Sequence, residues 1–139
     1  GSSAIIDMLG EVFINYGDEV VYCAPTYEAF PDMVSDNGGV RVVLPLTDDY
    51  CYDLDAMLAA ITDRTKMVIV CNPNNPTSSC ITSTDMRRIL DACKEYDIYV
   101  MVDETYVEFA ENMEEIDSVP LTNYYNNIVI LRGTSKFFA

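Results

Sequence analysis

At 139 residues, half of them apolar, the chain has the size and composition of one domain with a real core. Eight basic against 23 acidic residues leave a net charge of −15, which argues against nucleic acid or an anionic membrane as a partner. No apolar run reaches the roughly 18–20 residues of a membrane span, and the chain opens on nothing like a signal peptide.

Residues 4–15 carry Ile5, Ile6, Leu9, Val12 and Phe13 at helical spacing, and Gly17-Asp18 closes that helix with a turn. Residues 19–23 (EVVYC) read as a short strand ended by Pro25. Residues 27–35 read as a helix with Phe30, Met33 and Val34 on one side and Pro31 in its first turn. Asn37-Gly38-Gly39 is a turn before a strand over 40–44. Asp53 is a good N-cap for a helix over 53–61, and 67–71 is a continuous apolar strand. Residues 72–79 hold two prolines and three asparagines and cannot be regular structure. Ser83 or Thr84 caps the next helix, which buries Met86, Ile89, Leu90 and Cys93. Strands follow over 98–102 and 127–131, separated by an acidic surface excursion over 110–126 that contains a partial helix.

Five short apolar strands alternating with helices predict an α/β fold. Strands buried on both faces predict three layers, α/β/α, around a mainly parallel sheet. The cysteine count is odd, five, with no C-x-x-C and no histidine anywhere, so a metal site falls away. So do the Ser-His and Cys-His nucleophile pairs. Cys23 and Cys71 lie in strand-like runs and read as small core residues, and reduced thiols point to the cytoplasm.

Open α/β sheets place ligands beyond the carboxyl ends of their strands. Four polar turns stand there: Pro25-Thr26-Tyr27, Asn72 to Thr77, Asp103 to Tyr106, and Gly133-Thr134-Ser135-Lys136. Each also admits a plainer role. The asparagine-proline run is a rigid turn, Asp103 is a cap for the turn after it, Tyr106 packs its ring, and Lys136 is an exposed lysine.

Together, the turns resemble the fold-type-I pyridoxal-phosphate enzymes. Asp103-Glu104-Thr105-Tyr106-Val107-Glu108-Phe109 and Ala24-Pro25-Thr26-Tyr27-Glu28-Ala29-Phe30 are most similar to the histidinol-phosphate branch of the class I/II aminotransferases. The resemblance implies pyridoxal 5'-phosphate as cofactor. In it, Lys136 forms the Schiff base and moves the proton, Asp103 pairs with the pyridine nitrogen, and Asn75 and Tyr106 bond the ring's 3-hydroxyl oxygen. Tyr27 stacks on the ring, and Ser135 holds the phosphate with the amides of Ser2 and Ser3 at a helix start. It implies an amino donor and a 2-oxo acid as substrates, a homodimer, and residues 1–139 as the central part of the cofactor-binding large domain. The N-terminal arm and C-terminal small domain of the family are then absent, and this stretch alone is not expected to turn over substrate. A decarboxylase of the same fold, acting on an amino-acid phosphate, shares all these residues. A non-catalytic α/β binding domain is the reading from another class. Ser78 stands where the family usually has glycine, Ala4 where it has an acidic residue, and Gly133 where a hydroxyl is common.

Overall fold

A computed structural model describes residues 1–138. Five strands form one sheet: β1 (Glu19–Ala24), β2 (Val40–Pro45), β3 (Thr65–Cys71), β4 (Tyr99–Asp103) and β5 (Ile128–Leu131). Their order is β2-β1-β3-β4-β5, and every neighbouring pair is parallel, so the sheet is wholly parallel rather than mainly so.

Side chains alternate across a strand, and here the alternation divides two cores. Val20, Tyr22, Met67, Ile69, Cys71 and Met101 face one side, where they meet Ile6 of α1 (Ser2–Phe13) and Phe30, Met33 and Val34 of α2 (Ala29–Asp36). Val21, Cys23, Val68, Val70, Val100 and Val102 face the other. There they meet Met57 of α3 (Leu54–Ala59) and Met86, Ile89, Leu90 and Cys93 of α4 (Ser83–Lys94). The three layers follow from that division.

Several expected boundaries move. The cap of α4 is Thr82, whose hydroxyl accepts from the Asp85 amide, not Ser83 or Thr84; Ser83 instead donates to the Glu115 carbonyl at 3.0 Å. Asp53 caps α3 as expected. Tyr27 lies ahead of α2, in the loop that leaves β1. The expectation of strands buried on both faces holds for β1, β3 and β4 and fails at the edges, where most residues of β2 and β5 are half-buried or exposed. The 110–126 excursion is more anchored than a surface loop. It holds α5 (Met113–Ile116) and a 3-10 turn (Val119–Asn123), and buries Ile116, Ser118 and Leu121. Among the described residues no helix is long and apolar enough to cross a membrane.

The strand order reverses between β1 and β3, because β2 lies to one side of β1 and β3, β4 and β5 to the other. β1 and β3 pair only as far as Val21 and Val68, whereas β3 and β4 stay paired to Cys71 and Asp103. The sheet therefore opens at its carboxyl edge at the switch point, where such folds form a crevice.

Candidate active site

A cavity of about 190 Å³ occupies that opening, lined by Ser2, Tyr27, Cys71, Asn75, Asp103, Thr105, Tyr106 and Lys136. Six of the residues singled out from the sequence (Ser2, Tyr27, Asn75, Asp103, Tyr106 and Lys136) thus meet there, from α1 and from the loops after β1, β3, β4 and β5. Ser3 and Ser135 do not line it. The Ser3 hydroxyl lies 3.0 Å from the Tyr27 hydroxyl, and the Tyr27 ring meets Phe30 edge-on at 5.7 Å, so Ser3 and α2 orient that ring. Ser135 is exposed in the turn before Lys136.

Asp103 is the last residue of β4 and almost wholly buried. Its Oδ1 accepts from the Thr105 amide at 3.0 Å and from the Thr105 hydroxyl at 2.6 Å. Both donors use the same oxygen, and the other has no hydrogen bond among the described residues. The next residue, Glu104, points the opposite way and is fully buried. It accepts from the Ser118 amide at 2.7 Å and from Arg132 Nε and Nη2 at 3.0 and 2.8 Å, while Arg132 also reaches Asp117. Burial pushes the Glu104 carboxyl up, and its bonds to Ser118 and Arg132 pull it back. This buried pair ties the root of the Lys136 turn to the end of β4.

The Asn72–Thr77 run turns two of its asparagines inward rather than outward. Asn72 is fully buried, accepting from the Ile81 amide at 2.9 Å and donating to the Ile81 carbonyl at 3.0 Å. Asn74 donates to the Pro25 carbonyl at 3.0 Å and to Thr77 Oγ1 at 2.7 Å, and accepts from Thr26 Oγ1 at 2.9 Å. The loops after β1 and β3 are thereby locked together across the switch point, and Asn75 remains to face the cavity. The Asn72-Pro73 and Asn75-Pro76 bonds are cis.

Where β1 leaves β3, the Tyr52 hydroxyl takes over. It donates to the Cys71 carbonyl at 2.6 Å and accepts from the Cys71 amide at 3.2 Å. Cys71 lines the cavity, but burial, then the nearby Asp103 charge, push its thiol up to about 12. It stays a thiol at neutral pH and does not compete with the lysine as a nucleophile. Thr105, Tyr52, Thr26 and the Glu104–Arg132 pair were not among the residues singled out. Glu104 alone carried a signal, since a carboxylate beside Asp103 on a buried strand must face away from it and find its own partner.

The family description "Aminotransferase class I and II" matches residues 1–139. The chain belongs to that family. Its members depend on pyridoxal phosphate. The aromatic amino acid aminotransferase of Rhodococcus jostii (strain RHA1) is 42% identical over 99% of this chain and 38% of its own length. The aromatic aminotransferase of Pyrococcus horikoshii OT3 superposes with a TM-score of 0.89 at 27% identity, over 99% of this chain and 38% of that one. The histidinol-phosphate aminotransferase of Clostridium acetobutylicum gives 0.87 at 26%, over 100% and 40%. This aminotransferase-family chain thus spans well under half the length of the relatives it matches.

Proposed function

We propose that the cavity at the switch point holds pyridoxal phosphate and serves amine transfer from an amino acid to a 2-oxo acid. The observation that carries the reading is the meeting of one primary amine, Lys136, with one buried carboxylate, Asp103, in a single small cavity that Tyr27, Asn75 and Tyr106 also line. The donor set fits the cofactor: an amine for an aldehyde, a carboxylate with one unengaged oxygen for a ring nitrogen, and an amide and a phenol for a ring hydroxyl.

When bound, pyridoxal phosphate supplies an electron sink for the pair left at the donor's α-carbon. Lys136 Nζ would hold the cofactor through its aldehyde carbon and, when free, would carry a proton off the donor's α-carbon and back on. Asp103 holds the proton on the ring nitrogen. Asn75 and Tyr106 hold the ring oxygen, and Tyr27 covers one ring face. Ser2 sits in the first turn of the twelve-residue helix α1, whose unpaired amides favour the phosphate. Ser3 orients Tyr27 through its hydroxyl, and Ser135, in the turn beside Lys136, would hold the phosphate. The same reading makes the protein a homodimer, and its free cysteines suit the cytoplasm.

For the donor, relatives at about 40% identity named for aromatic amino acids outweigh the histidinol-phosphate structure at 26%, so an aromatic amino acid is the proposed donor. Borohydride reduction in the presence of pyridoxal phosphate, then peptide mapping, tests the site. Label at Lys136 is expected; label scattered over surface lysines sinks the reading. Phenylalanine, tyrosine and histidinol phosphate, each offered with 2-oxoglutarate to a full-length aminotransferase carrying this stretch, test the donor. Faster transfer from histidinol phosphate would reverse the preference, and release of carbon dioxide without transfer would favour the decarboxylase.

A further inference from the structure

Thr105 stands beside the site in a role that the cavity alone does not explain. Its hydroxyl and its amide both donate to Oδ1 of Asp103, at 2.6 and 3.0 Å, and both residues are buried. A hydroxyl–carboxylate bond this short is of the charge-assisted kind, stronger than a bond between neutral groups. A carboxylate at the end of a strand has freedom about its last torsion, which is broad and two-fold. Two donors from one residue remove it. They fix Oδ1 toward Thr105 and leave Oδ2 with no hydrogen bond among the described residues, in a residue that lines the cavity.

Resting on the cofactor reading above, we propose that Thr105 is a positioning residue for the ring nitrogen, acting through Asp103. Its hydroxyl holds the carboxylate in one orientation, so that Oδ2 would be the oxygen left to pair with a protonated ring nitrogen. Without the hydroxyl, only the amide restrains Oδ1, and part of the carboxylate's orientational freedom returns. The residue type suits the task. A threonine has a hydroxyl short enough to reach back two residues, and its second branch stiffens χ1.

The test compares two cofactors on the wild type and on Thr105→Val and Thr105→Ser: pyridoxal phosphate, and its analogue with the ring nitrogen replaced by C–H. Binding is read from visible absorbance and from quenching of tyrosine fluorescence, so turnover is not needed. Val keeps the shape and loses the hydroxyl, and Ser keeps the hydroxyl. We expect Thr105→Val to weaken pyridoxal phosphate roughly tenfold and leave the analogue unchanged, with Thr105→Ser close to wild type for both. Equal weakening of both cofactors would mean that the hydroxyl merely supports the fold, and no weakening of either would mean that it is idle; each overturns the inference. If Thr105→Val does not fold, Thr105→Ala is read against the same pair. A wild type that binds the two cofactors equally well would overturn the Asp103 assignment itself, an outcome distinguishable from failure of the Thr105 step.

Discussion

The wall of the cavity that carries Asp103 and the turn that carries Lys136 are built in opposite ways. Asp103, Asn72, Asn74 and Glu104 are buried, and each accepts two or more side-chain or backbone hydrogen bonds or exchanges them with its neighbours. Lys136 is exposed, in a turn closed by one backbone bond from Phe138 to Thr134 at 3.1 Å and by contact of Phe137 with Phe109. The difference matches the two tasks. A group that must hold a ring in one place is fixed before the ligand arrives, so ordering it costs nothing on binding. A group that must leave the cofactor, take a proton and return needs reach.

The largest effect expected from that contrast falls on function and not on stability. Lys136→Ala should abolish borohydride labelling at that position and, in a full-length aminotransferase carrying this stretch, lower amine transfer by about 10²–10⁴-fold. Its unfolding free energy should stay within about 0.5 kcal/mol of wild type, since the side chain is exposed. A large stability loss would show that the turn is not the loosely held element described.

Arg132→Leu should do the reverse at the root of the same turn. It leaves Glu104 fully buried with only the Ser118 amide as donor, and breaking such a pair costs about 3 kcal/mol, read as a lower urea midpoint. The pair has a pH signature too. Burial holds the folded Glu104 carboxyl above its ordinary 4.5, so in that window the folded state binds more protons than the unfolded. The Glu104 contribution is therefore fully present below the unfolded value and is lost as pH rises through the folded one. The stability of wild type relative to Glu104→Gln should fall as pH rises above the ordinary carboxyl value of 4.5. A rise would mean that Arg132 outweighs burial.

Tyr52→Phe probes the wired wall more gently. It removes the hydroxyl that serves both the amide and the carbonyl of Cys71 where β1 has left β3. A loss of about 1–2 kcal/mol is expected, with weaker cofactor binding because Asn75 follows the displaced β3 end. Unchanged binding despite the lost stability would separate the wall from the site.

Much of this was legible in the chain and some was not, for physical reasons. The layers follow from continuous apolar strands alternating with amphipathic helices, and the carboxyl-edge position of the turns from parallel connectivity, while the choice of Asp103, Asn75, Tyr106, Tyr27 and Lys136 within those turns came with the resemblance to the pyridoxal-phosphate enzymes. Tyr52 could not, because it reaches Cys71 from 19 residues away and nothing in its own segment names that partner. Thr105 was hidden by proximity: as a strand-end threonine it has many ordinary uses, and only its rotamer reveals which oxygen of Asp103 it holds. Arg132 stands just before the Gly133–Lys136 turn, and nothing in its own segment names its partners. Its true context is the 110–126 excursion, whose Asp117 and Ser118 are brought in by buried Ile116 and Leu121, a tertiary contact that acidic composition concealed.

The smallest expected effect lies on the outer tip of the same loop whose inner side Asn74 locks. Ser78, where the family usually has glycine, sits at φ 61, the left-handed region that costs a side-chain-bearing residue about 1–2 kcal/mol. Its amide donates to the Asn74 carbonyl at 2.7 Å, so the loop cannot relax that angle without breaking a bond to its most tightly held residue. Ser78 is exposed, and its hydroxyl makes no bond that would be missed among the described residues. Glycine removes the strain and adds freedom to the unfolded chain, so the two effects oppose and the net gain for Ser78→Gly should be about 0.5–1 kcal/mol. The measurement is a urea midpoint that moves up while cofactor affinity stays put, because Asn74 and Asn75 are held from the inner side. A gain in affinity as well would mean that strain at the tip reaches the cavity, and that the two sides of the loop are less independent than their hydrogen bonds imply.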